Sequence, residues 1–235
     1  MKNQSRNDEK KNTIMRKFLK LFVLLTLLLT TVNAFSQTKD VIIPEEMLSK
    51  AKEWISALNL TDATKKLAAE NAIAVHLTTI RNWHNEHPAS TVPDGMNPVT
   101  GTKLSDLDKQ IIADSAIPST VHQALMESLN KNLSPEQVET ILDKYTIGKV
   151  EFTMKGYKAI VPDLTADEEA KILSFLKQAR EQAIDYKNMK QISAIFEIYK
   201  TKSEQMLNNN GRSWRALYSA YTKKIKEEKA SKAKQ

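Results

Sequence analysis

Residues 164–186 read LTADEEAKILSFLKQAREQAIDY. Thr165, followed three residues later by Glu168, has the form of a capping box, in which the hydroxyl accepts an amide proton of the first turn and the carboxylate reaches back to the backbone. Leu164 stands where a hydrophobic staple would. Asp167, Glu168 and Glu169 put negative charge at the positive end of the helix dipole. Ile172, Phe175, Leu176, Ala179, Ala183 and Tyr186 then recur at helical spacing. A segment that starts, faces and charges in this way is a long amphipathic helix.

The same grammar extends outward. Ser134-Pro135-Glu136-Gln137 places a capping hydroxyl, proline at the first helical position and Gln at the third. Thr61-Asp62 reads as a plainer cap, and Leu60 and Leu133 precede these starts as Leu164 does. The intervals are unequal, so this is recurring helix-start grammar and not a repeat. Apolar stripes follow over Met47–Leu58, Val138–Tyr145, Ile192–Leu207 and Trp214–Ile225. Two regions interrupt them. Pro88–Gly101 holds three of the seven prolines and two of the five glycines and reads as an exposed loop. Lys149–Thr153 alternates as a short strand would, but Met154, Tyr157 and Val161 fit a helical turn, and a short helix ending before Pro162 is favoured. These features predict an all-α, single-domain bundle of six to eight helices over 45–228, with the loop at 88–102. A linker is expected at 37–44 and a disordered basic tail at 229–235.

The N-terminus predicts export. Arg16, Lys17 and Lys20 precede the apolar run Leu21–Val32, which is short for a membrane span, and Ala34 and Ser36 suit cleavage before Gln37. Translation could start at Met1 or Met15. The net charge of +7 resides mostly in this leader, whose first 36 residues hold 7 basic and 2 acidic residues. Residues 223–235 add 6 Lys against 2 Glu, so the body between is slightly acidic. A nucleic-acid partner is therefore not expected, because such binders concentrate positive charge on the folded surface. With no cysteine the chain has neither a disulfide nor a lipobox, and the expected location is periplasmic or secreted, with no stable membrane anchor after cleavage.

Few residues carry an obvious chemistry. On one helix from Thr61 to about His87, His76, Ile80, Trp83 and His87 share a stripe with His84 beside it. His84 and His87 could reach one metal, but the H-E-x-x-H spacing is absent, and neither a metal nor a cofactor is expected. No G-x-S-x-G or phosphate-binding glycine loop occurs. Glu181 and Asp185, at i and i+4 beside Arg180, could serve acid–base chemistry or form a solvated helix face. The tyrosines and Trp83 suit sugar or peptide surfaces, having apolar faces and polar edges; only Trp83 and Tyr157 stand apart from the packing stripes.

One set of residues carries a resemblance. Tyr145-Thr146-Ile147-Gly148-Lys149-Val150-Glu151-Phe152-Thr153, Tyr157, and Ile160-Val161-Pro162-Asp163-Leu164-Thr165 resemble the domain of unknown function 3826 family. Ala179-Arg180-Glu181-Gln182-Ala183-Ile184-Asp185 continues the match, as do Phe196, Tyr199, Lys200, Asn208 and Gly211, with Asn59-Leu60-Thr61 and His84 upstream. The sequence departs from the family in the Pro/Gly loop after His84. The resemblance covers most of 45–225 and implies a secreted helical protein with a carbohydrate partner. The expected role is thus a non-catalytic carbohydrate-binding module. In that role Trp83 or Tyr157 would stack on the sugar, and Lys149, Arg180 and Glu181 would bond its hydroxyls. One alternative is a periplasmic helical chaperone or adaptor, since Leu133-Ser134-Pro135-Glu136-Gln137 is similar to the L-T-x-x-Q motif of small periplasmic chaperones. Another is a hydrolase or lyase of polysaccharide fragments using His84, Glu181 or Asp185.

Overall fold

The structure, a computed structural model, describes residues 42–98 and 100–232. The expected signal peptide, its expected cleavage site and the choice of start codon fall outside these residues. Among the described residues there are nine α-helices and no strand, one isolated bridge joining Met96 and Lys103 across the loop. The helices are α1 (Glu45–Ser56), α2 (Ala63–Glu86), α3 (Asp106–Ser115), α4 (Ser119–Asn132), α5 (Pro135–Tyr145), α6 (Lys149–Ile160), α7 (Ala166–Ala183), α8 (Met189–Asn209) and α9 (Trp214–Lys232).

Nine exceeds the six to eight expected. The additional elements are α3 and α4, which lie in a region without a sustained apolar stripe. Only Ala113 and Asp114 of α3, and Leu125 and Leu129 of α4, are buried. A third capping box, Ser105 with Asp108, starts α3. The two anticipated boxes are present: Ser134 with Gln137 starts α5, and Thr165 with Glu168 starts α7. Asp62 caps α2 by accepting from the amides of Thr64 and Lys65. The region 149–160 is helical and ends before Pro162, and α9 continues to Lys232, into the stretch expected to be a disordered tail.

The apolar faces meet in two clusters. One gathers Ile55, Ile73, Leu129, Ile141 and Leu142 from α1, α2, α4 and α5. The other gathers Tyr157, Ile172, Leu176, Ile195, Phe196 and Leu207 from α6, α7 and α8, with Trp214 and Leu217 of α9 packed against its edge. Helix α7 lies along α8 and also meets α5 and α6, so it belongs to the seam between the clusters. Among the described residues no helix is long and apolar enough to cross a membrane.

Candidate functional site

Two openings flank α8. The first is a groove of about 680 Å³ between α6, α8 and α9. Trp214, Tyr218 and Tyr221 line it from α9, their i, i+4 and i+7 spacing placing them on one face. The Trp214 and Tyr218 rings stack with centroids 5.9 Å apart and planes inclined by 27°. Tyr218 is 50% exposed. Tyr157 of α6 lies under Trp214, 5.3 Å between centroids, and its hydroxyl donates to the Lys200 carbonyl at 3.1 Å. Burial raises the Tyr157 hydroxyl pKa, which keeps it a proton donor.

Charged groups of both signs rim these rings. The Lys149 ammonium lies 5.7 Å from the Phe196 ring centroid and has no carboxylate partner among the described residues. Lys200 donates to both carboxylate oxygens of Glu197 at 2.9 Å. Glu204 is half-buried, and desolvation pushes its carboxyl upward. Apolar faces beside ammonium donors and carboxylate acceptors suit a pyranose ring, whose C–H face is apolar and whose edge is lined with hydroxyls.

The second opening is a cleft of about 590 Å³ between α4, α7 and α8. His122 of α4 is held at both ring nitrogens. Nδ1 lies 2.9 and 3.1 Å from the two oxygens of Asp185, and Nε2 lies 3.2 Å from Glu181 Oε1. A nitrogen facing a carboxylate must donate, so the ring is an imidazolium. These hydrogen bonds, first to Asp185 and then to Glu181, push its pKa up to about 10. Asp185 is reached from below by His76 Nε2 at 3.0 Å, and His76 is buried edge-on to Tyr145. Burial pushes the Asp185 carboxyl up, but the bonds from His122 and His76 outweigh it and leave the pKa below its ordinary value. Glu181 stands half exposed at the mouth, its side chain 49% accessible.

The expected ligand-binding residues are not gathered at one place. Lys149 and Tyr157 line the groove, but Tyr157 is only 2% exposed and forms its floor; the accessible platform is Trp214 with Tyr218. Glu181 and Asp185 line the cleft. Arg180 faces neither. It is 2% exposed, and its two terminal nitrogens bond Glu139 and Asp143, each at 2.7 Å, which ties α7 to α5. Trp83 donates its indole N–H to the Ala113 carbonyl and stacks on His87 at 3.8 Å, which occupies its edge and one face. His84 donates to buried Asp114 at 2.6 Å, and Asp114 also accepts from Gln110 and Gln191. Both residues therefore serve the joint between α2 and α3.

His122 escaped the sequence reading because its partners stand 59 and 63 residues away. Trp214 and Tyr218 were counted as core. The available signal was that the final helix carries rings on one face with lysines around them, and no residue of α9 is in fact buried.

Comparison with known proteins gives one finding. The model of a family described as protein of unknown function (DUF3826) matches residues 45–227. No curated protein matches the chain. Since the match spans eight of the nine helices and most of the last, from the start of α1 to within α9, the chain belongs to the DUF3826 family.

Proposed function

We propose that this protein binds carbohydrate without transforming it, and that the ligand lies in the groove between α6, α8 and α9. The observation that carries the reading is the stacked, accessible Trp214–Tyr218 pair with Lys149, Glu197 and Glu204 around it. The rings accept a sugar face, and the charged groups supply donors and acceptors for its hydroxyls. Binding without turnover is favoured because Lys200 engages both oxygens of Glu197, which leaves Glu204 as the single unengaged carboxylate of the groove where glycoside hydrolysis generally uses two. The charged rim suits a polyol better than an unfolded apolar segment, which sets the chaperone reading second. The leader supports action outside the cytoplasm, through its basic start, the run Leu21–Val32 and the small residues before Gln37.

Calorimetric titration against a panel of plant and microbial oligosaccharides tests the proposal. A saturable event that Trp214→Ala weakens at least tenfold is expected. Saturable binding that Trp214→Ala and Tyr218→Ala both leave intact removes the groove from the account.

A further inference from the structure

We infer that the cleft between α4 and α7 is a second carbohydrate site, selective for an uncharged sugar. The inference rests on the carbohydrate reading but uses a different set of residues. Tyr199 faces the cleft and its neighbour Lys200 the groove, so α8 stands between the two.

The cleft presents polar groups that are already fixed in place. Asp185 accepts from His76 and His122, and His122 is held at both nitrogens, so neither has side-chain freedom to lose when a ligand arrives. Glu181 spends one oxygen on His122 and keeps Oε2 for a ligand hydroxyl. The Tyr199 hydroxyl donates to Gln182 Oε1 at 3.2 Å, and the Gln182 side chain also bonds the Tyr186 hydroxyl, so this amide too is fixed at the cleft wall. The exposed Gln123 side chain makes no hydrogen bond among the described residues. Carboxylate and amide groups that both accept and donate, converging on one cavity, match a ring bearing neighbouring hydroxyls.

Charge sets the class of sugar. No lysine or arginine lines the cleft, and its one imidazolium already faces two carboxylates. A uronate or sulfated sugar would meet uncompensated negative charge, whereas a neutral sugar would not. The groove differs on this point, because Lys149 is free to pair with an acidic sugar. The cleft is also a costly way to join two helices. Well-packed apolar residues at an α4–α7 contact generally serve stability as well as or better than a partly buried ion network. Its place beside an open cavity fits a site better than a structural tie.

The test is calorimetry on the purified protein with two probe sets, neutral tetrasaccharides (cellotetraose, mannotetraose and xylotetraose) and tetragalacturonate. Wild type, Trp214→Ala, and the surface pair Glu181→Ala with Gln123→Ala are compared. Trp214→Ala should abolish the groove event and leave one neutral-sugar event per chain that tetragalacturonate does not compete. The Glu181→Ala/Gln123→Ala pair should weaken that residual event at least tenfold and leave the groove event unchanged. Loss of all binding in Trp214→Ala overturns the second site and leaves the groove standing. A residual event indifferent to the cleft pair, or displaced by tetragalacturonate, also overturns it. Binding lost only in the cleft pair removes the groove and leaves the cleft as the sugar site. The thermal unfolding midpoint of each variant separates lost binding from lost fold.

Discussion

The groove and the cleft share α8 as a wall and are built on opposite principles. The groove takes its accessible rings from α9, a helix with no buried residue, and these rings are held by stacking. The cleft takes its groups from α4 and α7, and hydrogen bonds pin them through Asp185 and His76 to the ring of Tyr145, which meets Trp54 at 4.8 Å in the first core cluster. The α9 rings of the groove can therefore change with little effect on the fold, while the clamped groups of the cleft are coupled to it.

Asp185→Ala gives the largest expected effect. It strips the acceptor from buried His76 and from His122 together, and the cost of such orphaned donors is about 3 kcal/mol. Tyr218→Ala, half exposed on α9, should stay within about 0.5 kcal/mol of wild type. Urea unfolding measures both, and equal losses would erase the contrast between the two openings.

Next is pH. The His122 pKa is raised in the folded state, so its contribution is fully present below the ordinary histidine value and is lost as pH rises through about 10. The Asp185 pKa is lowered, so its contribution is present above the ordinary carboxylate range and is lost as pH falls through the depressed folded value. Stability from the cleft should thus form a plateau with an alkaline edge, and His122→Gln should remove that edge. Nuclear magnetic resonance titration of the His122 ring checks the alkaline limb. A midpoint near the ordinary histidine value contradicts the double clamp.

Two further effects concern helix starts. Gly148 holds φ +65° immediately before α6, and Ile147 before it also lies in the left-handed region at +54°. Gly148→Ala should cost about 1 kcal/mol, because a Cβ is disfavoured there even with open space around it. Since Gly148 sets the start of the groove wall that carries Lys149, ligand affinity should fall with it. Ser134→Ala removes a cap that lines neither opening. It should also cost about 1 kcal/mol, with sugar binding unchanged by calorimetry.

What the sequence made legible follows from how local each signal is. Capping boxes at Ser134 and Thr165 and the stripe of α7 are contained within a few turns, and the helices appear where these residues set them. Short α3 and α4 lack such a stripe, since each buries only two residues. At the candidate sites the relevant pairings are distant. Glu181 and Asp185 drew attention as a local pair, but the imidazole that joins them comes from another helix. The partners of Arg180, Glu139 and Asp143, stand 41 and 37 residues upstream and are not visible from α7 alone. Tyr157 is buried and Trp214 only half-buried, against the expectation from their stripes, for a similar reason. Which ring is covered depends on α9 meeting α6, and no spacing within either helix reveals that contact.

The most direct test of the account is calorimetric titration of wild type and Trp214→Ala with the oligosaccharide panel, at matched thermal unfolding midpoints. The account predicts a saturable event in wild type whose groove component falls at least tenfold in Trp214→Ala. An absence of saturable binding to every member of the panel in wild type would contradict carbohydrate recognition at either opening.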